Sequence, residues 1–303
     1  MAHAIVLTEF GGPDVLRWQE VAEPQPARGR ILIRVRAAGV GPTDLHIRRG
    51  DLVGVFPQGP GSVLGFEASG IVVALGEGVS GVSIGDEVAA LLPDQGGYAE
   101  LAVVSTWVAK PPSVSWSDAA ALPASAEVAV GLLREVRAAA GETLVVLGAA
   151  GSVGQILVQL AAAQGLRVIG LAGERDGALV RSLGGEPVAY GQGAFERVAA
   201  VADSVDAVID AAGRGGIREA IDATGDATRV ITLVDPTALA LGARFTEPGP
   251  QRAPDALDIT MPMLASGALR LKARRDMPLS DAAEAHRALE SGSVREKVIL
   301  LAS

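Results

Sequence analysis

The sequence predicts an α/β protein in which an all-β, barrel-like region is followed by a doubly wound parallel sheet. Residues 1–110 are rich in glycine and proline and contain short apolar runs that are typical of strands. From residue 142 onward such runs alternate with helical patterns, which is the order found in parallel sheets. With 303 residues, of which 49% are hydrophobic and 20% are charged, the chain has the length of about two domains and the composition of a well-packed globule.

The composition excludes several classes of function. A net charge of −9, with no block rich in lysine and arginine, argues against nucleic acid or an anionic membrane surface as a partner. Because the chain has no cysteine, disulfides, thiolate catalysis and cysteine-ligated zinc are excluded. Residues 143–166 carry no charge, but glycines and glutamines interrupt them, so we reject a membrane span. The first ten residues lack the pattern of a signal peptide, and we expect a cytoplasmic protein.

The N-terminal region carries a loop that could hold reacting groups. Gly39–Gly50 leads from a predicted strand into one helical turn with Thr43, Asp44 and His46. Their alternative roles are structural, with Thr43 or Asp44 capping the turn and His46 as an ordinary loop histidine. The strands predicted around this loop are Ala4–Thr8, Arg30–Ala37, Val63–Leu75, Asp86–Leu92 and Gly97–Val103.

The stretch Glu142–Gly170 predicts a nucleotide-binding βαβ unit. Leu144–Leu147 is a short buried strand that runs into a glycine-rich turn, and a helix follows. A pyrophosphate approaches the backbone closely only where side chains are absent, and its charge is met by the N–H groups at a helix N-terminus. The residues that we predict to contact it are Gly148, Ala150, Gly151, Ser152, Val153 and Gly154.

The βα alternation continues to about residue 246. Its predicted strands are Arg167–Leu171, Pro187–Ala189, Asp206–Ile209, Arg229–Leu233 and Ala243–Thr246, and its predicted helices are 176–183, 195–202 and 217–223. In such a sheet the ligand lies at the carboxyl ends of the strands. We therefore add Ala211 and Leu233, which follow or end two of these strands, to the predicted cofactor contacts.

The residues after the second strand decide the choice of cofactor. An acid there suits the ribose hydroxyls of NAD, whereas an arginine pairs with the extra phosphate of NADP. Glu174 and Arg175 both occur. We predict NADPH rather than NADH, through Arg175 and the Tyr190 hydroxyl; the alternative is that Arg175 is a solvated residue at a helix start.

Two helices flank this sheet in the sequence. One runs from Ser117, a predicted N-cap, to about Ala139 with a break at Leu122-Pro123, and it places Glu127 among small apolar residues. That carboxylate is either at the surface or partly desolvated, and only the second case would suit acid–base chemistry. The other helix, Ser280–Glu290, precedes a final strand, and its His286 is predicted to lie at the surface.

Taken together, these segments resemble the medium-chain dehydrogenase/reductase superfamily over nearly the whole chain. The resemblance implies a GroES-like β-barrel catalytic domain from residues 1–120, completed by 267–303, plus a doubly wound parallel Rossmann domain at 121–266. It also implies a homodimer joined at the sheet edge Ala243–Thr246, and it adds Lys297 to the cofactor contacts. The pieces that carry it are GVGPTDLH, GFEASG, GDEVAAL, GGYAEL, GAAGSVG and AHRALESGSVREKVIL.

The departures from the zinc-dependent members concern the metal. Where those members have two cysteines and a histidine as catalytic ligands, this chain has Gly41, Ala124 and Phe66. The chain is therefore similar to the zinc-independent branch of quinone oxidoreductases and enoyl reductases, and we predict no metal. A fallback zinc site from His46, Asp44 and Glu67 is the alternative.

The resemblance implies an NADPH-dependent oxidoreductase that reduces a quinone or an activated C=C bond. Thr43 and His46 match the residues that relay a proton in the zinc enzymes, so Thr43 would donate to the enolate oxygen with His46 behind it. The small-molecule substrate would lie between the domains near these residues, Phe56 and Glu127. A second hypothesis is a redox-silent lyase or cyclase with Glu127 or His46 as the acid–base group, and a third is a cofactor-sensing interaction protein.

Overall fold

A computed structural model describes residues 1–246 and 252–302 of the chain. The chain forms two compact units. The first contains Met1–Ala124, Leu257–Ser266 and Ala273–Ser303, and the second contains Ser125–Ala256 and Gly267–Lys272. Both ends of the chain therefore build one unit, and the middle builds the other.

The N-terminal part of the first unit consists mostly of short strands. They are β1 (Ala2–Leu7), β2 (Leu16–Val21), β3 (Ile31–Gly39), β4 (Glu67–Leu75), β5 (Glu87–Leu91), β6 (Leu101–Val104) and β7 (Thr106–Ala109), with helices α1 (Pro42–Arg49) and α2 (Trp116–Ala121). Along β3, Ile31, Ile33 and Val35 are buried while Arg34 is exposed, so one face of this strand is fully buried. This face packs into the apolar core of the unit.

The second unit is a parallel sheet with helices between its strands. Its elements are α3 (Pro123–Val136), β8 (Thr143–Leu147), α4 (Ser152–Ala163), β9 (Arg167–Ala172), α5 (Gly177–Ser182), β10 (Glu186–Ala189), α6 (Ala194–Ala199), β11 (Ala207–Asp210), α7 (Ile217–Thr224), β12 (Val230–Thr232) and β13 (Arg244–Phe245). The strand order is β10-β9-β8-β11-β12-β13, and neighbouring strands run parallel. The strand order reverses between β9 and β11, on either side of β8, which confirms the doubly wound sheet.

The C-terminal part returns to the first unit. It contains α8 (Ala256–Ala265), β14 (Arg274–Pro278), α9 (Ala282–Glu290) and β15 (Lys297–Leu301). Strand β15 pairs with β14 on one side and antiparallel with β3 on the other, so the sheet runs in the order β14-β15-β3-β4-β5-β7, with β6 also paired to β3.

Some local predictions are wrong for identifiable reasons. Strands β2, β7 and β14 are missed; β2 and β14 are mostly polar and exposed, so they lack the apolar alternation on which the prediction depends. Ser115, rather than Ser117, caps α2, because its Oγ accepts from Asp118 N at 3.0 Å. The predicted break at Leu122-Pro123 is confirmed, since α2 ends at Ala121 and α3 begins at Pro123.

The predicted surface position of His286 is also wrong. The side chain is fully buried on α9, beside the Tyr98 ring. Ala282, Ala285 and Ala288 form the face of α9 that enters the core of the first unit, and His286 shares that face. Small alanines bring the helix close to the core, so a histidine among charged neighbours in sequence lies inside.

Candidate functional site

The glycine turn after β8 has no room for side chains at its critical point. Gly148 has φ +93°, a left-handed conformation that glycine adopts at little cost. A Cβ on Gly154 would lie only 2.0 Å from the carbonyl oxygen of Gly148. Gly151 is the N-cap of α4, so the first N–H groups of that helix open at this turn. The structure therefore offers an anion a bare backbone and the positive end of a helix dipole.

The predicted contacts Ala211 and Leu233 lie at the same edge of the sheet. Ala211 N donates to Leu147 O at 2.9 Å, and Leu233 N donates to Asp210 O at 3.1 Å. A Cβ on Gly148 would lie 3.1 Å from Ala211 O, which shows how closely the two turns approach. The structure thus brings these predicted residues together at the carboxyl ends of β8, β11 and β12.

Asp210 anchors this edge, and sequence reasoning did not single it out. Its buried carboxylate accepts from Ala212 N at 2.9 Å and Gly213 N at 3.1 Å, and Thr232 Oγ1 donates to it at 2.9 Å. Thr232 Oγ1 in turn accepts from the backbone N–H of Val234 at 3.2 Å. One buried acid therefore fixes the loops after both β11 and β12. The available signal was an acid that ends an apolar strand.

The Tyr190 side chain reaches the glycine turn, where its hydroxyl is hydrogen-bonded to the Gly148 backbone. Its backbone N–H donates to Ala172 O at 3.0 Å, which holds it at the end of β9. Burial raises the pKa of Tyr190 to about 12, although the nearby N–H of Gly148 lowers it. The hydroxyl is therefore protonated at neutral pH and available as a hydrogen-bond donor beside the turn.

Two arginines lie near this end of the sheet, and only one was predicted. Arg175 is exposed in the short 3-10 turn Glu174–Asp176, so both of its chain neighbours are acids. Arg214, which follows β11, places its guanidinium carbon 5.6 Å from the centroid of the Tyr190 ring. Sequence reasoning missed Arg214 because its approach to Tyr190 depends on tertiary structure.

In the first unit, Asp44 organises the N-terminus of α1. Its Oδ2 accepts from Gly41 N at 2.8 Å and its Oδ1 accepts from Gly65 N at 3.0 Å, while Tyr98 donates to the carboxylate through its hydroxyl. Burial raises the pKa of Asp44 to about 6, against the lowering effect of the two backbone donors and of the Lys297 charge. Gly41 is therefore the N-cap residue of α1, Asp44 binds its N–H from the first turn, and Thr43 lies half-buried beside Asp44.

His46 lies one turn after Thr43 on α1 and is exposed. Its Nδ1 is 2.9 Å from Asp51 Oδ2 and 3.0 Å from Nη2 of Arg49. The hydrogen bond from His46 lowers the pKa of Asp51, so this carboxylate is held charged next to the imidazole. The geometry gives the ring a fixed orientation and a charged partner.

The residues at the positions of the zinc ligands form other contacts. The backbone N–H of Ala124 donates to Glu67 Oε2 at 2.9 Å, and Phe66 packs edge-on against Phe56 with ring centroids 5.5 Å apart. Lys297, a predicted cofactor contact, is buried in this unit with its Nζ 2.5 Å from Glu67 Oε1. Within residues 1–246 and 252–302, no group of three or more histidine, aspartate or glutamate side chains is placed to hold a metal ion.

Glu127 is buried in the second unit, where Arg252 binds both of its carboxylate oxygens. The same guanidinium donates from Nη1 to Thr246 Oγ1 at 3.1 Å. The carboxylate of Glu127 is therefore desolvated, and it forms an ion pair with Arg252.

In the part of the chain that the structure describes, no helix is long and apolar enough to cross a membrane.

Comparisons with known proteins give both halves of the chain a family. The model described as alcohol dehydrogenase GroES-like domain matches residues 27–113, and the model described as zinc-binding dehydrogenase matches residues 183–300. The quinone oxidoreductase of Rattus norvegicus is 38% identical over 183 residues, which cover 58% of this chain and 54% of that protein. The match thus spans about half the length of this relative.

Solved structures extend the likeness to the full length. The quinone oxidoreductase from Coxiella burnetii is 30% identical with a TM-score of 0.82, and the match covers 99% of both chains. The quinone oxidoreductase of Escherichia coli, solved in complex with NADPH, is 25% identical with a TM-score of 0.86, over 99% of this chain and 100% of that one. Together with the domain matches, this likeness shows that the chain belongs to the quinone oxidoreductase branch of the medium-chain dehydrogenase/reductase superfamily.

Proposed function

We propose that the protein is an NADPH-dependent reductase of quinones or of activated C=C bonds such as those of enones. The observation that carries this proposal is the glycine turn, where a side chain on Gly154 would overlap the backbone of Gly148. A turn with that space and a helix N-terminus suits the pyrophosphate of a dinucleotide. The full-length likeness to a quinone oxidoreductase solved with NADPH supports the same cofactor.

The residues of the second unit would hold the cofactor without themselves reacting. The turn from Gly148 to Gly154 would receive the pyrophosphate, and Tyr190 would donate its hydroxyl hydrogen to a phosphate or ribose oxygen. Asp210 would keep the neighbouring loops in place through its buried hydrogen bonds. The nicotinamide, when bound, supplies the hydride.

The first unit would supply the groups that meet the substrate. The edge-on pair of Phe56 and Phe66 offers an apolar surface to a flat conjugated ring. Reduction leaves negative charge on the substrate oxygen, and the Thr43 hydroxyl would donate a hydrogen bond to it. The ring of His46 is hydrogen-bonded to Asp51. This histidine would supply a proton to Thr43, or to a water molecule that protonates the carbon of the enolate.

We propose that this reaction runs without zinc. Gly41, Phe66 and Ala124 offer no metal-binding side chain at the three ligand positions of the zinc members. The fallback donors also have other partners: Asp44 accepts two backbone N–H groups and Glu67 accepts Ala124 N and Lys297. These residues do not fit a zinc ion.

We further propose a cytoplasmic homodimer. Strand β13 lies at one edge of the parallel sheet, and an edge strand carries backbone groups that can pair with a second copy. Analytical ultracentrifugation would test this state. A monomer at working concentrations would contradict it.

The experiment that tests the function is NADPH depletion with a panel of quinones and enones. We expect consumption of NADPH that depends on the acceptor and exceeds consumption of NADH. Conversion of a substrate with no loss of NADPH would favour the redox-silent lyase or cyclase. Binding of NADPH with no turnover of any acceptor would favour the cofactor-sensing protein.

A further inference from the structure

We infer that Arg214, held over the ring of Tyr190, is the residue that recognises the ribose 2′-phosphate and thereby selects NADPH over NADH. This inference rests on the proposed function, since it concerns one end of the same cofactor. It assigns the selection to a residue that comes from the loop after β11, on the opposite side of the glycine turn from Arg175.

The backbone around Arg214 is fixed rather than free. Asp210 binds the N–H groups of Ala212 and Gly213, so the loop begins from a buried anchor. Gly213, Gly215 and Gly216 have φ values of +60°, +80° and +93°, which turn the chain sharply on both sides of Arg214. The arginine is therefore presented at the tip of a tight loop.

The side chain of Arg214 is held by an aromatic surface and leaves its donors for a ligand. Its guanidinium carbon lies 5.6 Å from the centroid of the Tyr190 ring, in cation–π contact. The residue is exposed, and within the described ranges no carboxylate lies within 4.0 Å of its guanidinium nitrogens. The guanidinium of Arg214 therefore has a defined orientation and no carboxylate partner among the described residues, and its planar N–H donors suit a phosphate.

Tyr190 adds a second donor at the same place. Its hydroxyl lies at the Gly148 amide and stays protonated, because burial raises its pKa to about 12. A phosphate beside Arg214 could therefore accept from the phenol as well. Tyr190 also connects the site to the glycine turn, where the remainder of a dinucleotide would lie.

The alternative cation is less well placed for a phosphate. Arg175 lies between Glu174 and Asp176 in one short turn, and the two acids outweigh its charge. The charge of Asp176 also raises the pKa of Tyr190, so a negative charge already acts on the phenol from the Arg175 turn. A dianion would be repelled there and attracted at Arg214.

The test compares two nucleotides that differ by one phosphate. Calorimetric titration with adenosine 2′,5′-bisphosphate and with adenosine 5′-monophosphate would be carried out on the wild type and on Arg214→Ala, Tyr190→Phe and Arg175→Ala. For Arg214→Ala we expect the bisphosphate to bind about tenfold or more weakly while the monophosphate changes less than about twofold. Tyr190→Phe should show a smaller loss of the same kind, and Arg175→Ala should change neither nucleotide by more than about threefold.

The outcomes distinguish a failure of the role of Arg214 from a failure of the proposed reductase function. A wild type that prefers the bisphosphate, combined with Arg214→Ala that binds both nucleotides as before, would overturn the role of Arg214 and leave the proposed reductase intact. Equal weakening of both nucleotides would also overturn it, because the arginine would then contact the shared part. A wild type that binds neither nucleotide nor NADPH would overturn both proposals. Unchanged melting of each variant would show that the loop still folds.

Discussion

Arg252 binds Glu127 through both carboxylate oxygens, with Nε 3.0 Å from Oε1 and Nη2 2.5 Å from Oε2. The stem of the arginine crosses α3 at Gly131, one turn after Glu127, where a Cβ would lie 2.3 Å from Cγ of Arg252. Glycine inside a helix is unfavourable, so its presence there serves the passage of this side chain. The buried glutamate is thus part of a structural ion pair.

Substitution of Glu127 by glutamine should destabilise the second unit. Arg252 would remain buried without its charged partner, and loss of one partner from a buried pair costs about 3–5 kcal/mol. Urea denaturation at neutral pH would measure this change. The control is Asp255→Asn, which breaks the exposed pair with Arg134 of the same helix α3 and should change the stability far less, because water screens that pair. Full stability together with a loss of turnover would instead support the acid–base role of Glu127.

Alanine at position 154 should disrupt the glycine turn. The added Cβ would lie 2.0 Å from the Gly148 carbonyl oxygen, and neither backbone can move without shifting the start of α4. We expect NADPH binding to fall by at least about tenfold, as measured by fluorescence titration. Gly177→Ala is the control, because its nearest neighbour, Pro187 Cβ, is 3.6 Å away. Equal binding by the two variants would contradict this account of the turn.

The buried His286 should make the protein sensitive to acid. Burial, reinforced by the Arg48 charge, lowers the pKa of His286 to about 3. A base whose folded pKa lies below its unfolded value stabilises the fold above the unfolded value, and this stability is lost as the pH falls. Between pH 7 and pH 5 the loss should be about 2 kcal/mol. Urea denaturation of His286→Gln should lack this part of the pH dependence, and an unchanged dependence would contradict it.

Asp44 should act in the opposite direction. Burial raises its pKa from 3.8 to about 6, so it favours the folded state when protonated. That contribution is present below the unfolded pKa and is lost as the pH rises through about 6. The wild type should therefore lose roughly 2 kcal/mol relative to Asp44→Asn between pH 4 and pH 7. Unfolding of both proteins across this range would measure the difference, and a constant gap in the free energy of unfolding would contradict a raised pKa for Asp44.

Chelators should leave the protein unchanged. Because the donors nearest to the zinc positions of the family already bind N–H groups and Lys297, we expect the same melting temperature and the same NADPH consumption after dialysis against a strong chelator. Elemental analysis of the purified protein would accompany the assay. A metal-dependent loss of either property would show that zinc belongs in the first unit.

Much of the second unit could be predicted from the sequence because its signals are local. Apolar runs such as Thr143–Leu147 and the glycines after them determine strand and turn within a few residues. The barrel-like first unit was predicted from the short strand patterns of residues 1–110, and the resemblance to a superfamily added its completion by the C-terminal residues. Strand β14 could not be found in this way, because its charged residues form an edge strand through pairing with β15, which is settled only in three dimensions.

The side-chain pairings could not be predicted from local sequence patterns. Glu127 and Arg252 are 125 positions apart, and Tyr98 and His286 are 188 apart, so neither pairing leaves a trace in the neighbouring sequence. The same separation hid the approach of Arg214 to Tyr190. Candidate residues could be chosen from the sequence. Whether a buried charge has a partner of opposite charge depends on segments that come together only in the folded chain.

The position of β15 beside β3 affects how the protein is made. The ribosome releases β3 early and β15 only after every strand of the second unit, and at about 5–20 residues per second the interval is on the order of 10 seconds. During that time the growing chain holds a strand whose partner has not been synthesised, with open backbone groups that another nascent chain could capture. Synthesis must therefore reach β15 before the first unit can close, whereas all strands of the second unit have emerged by then.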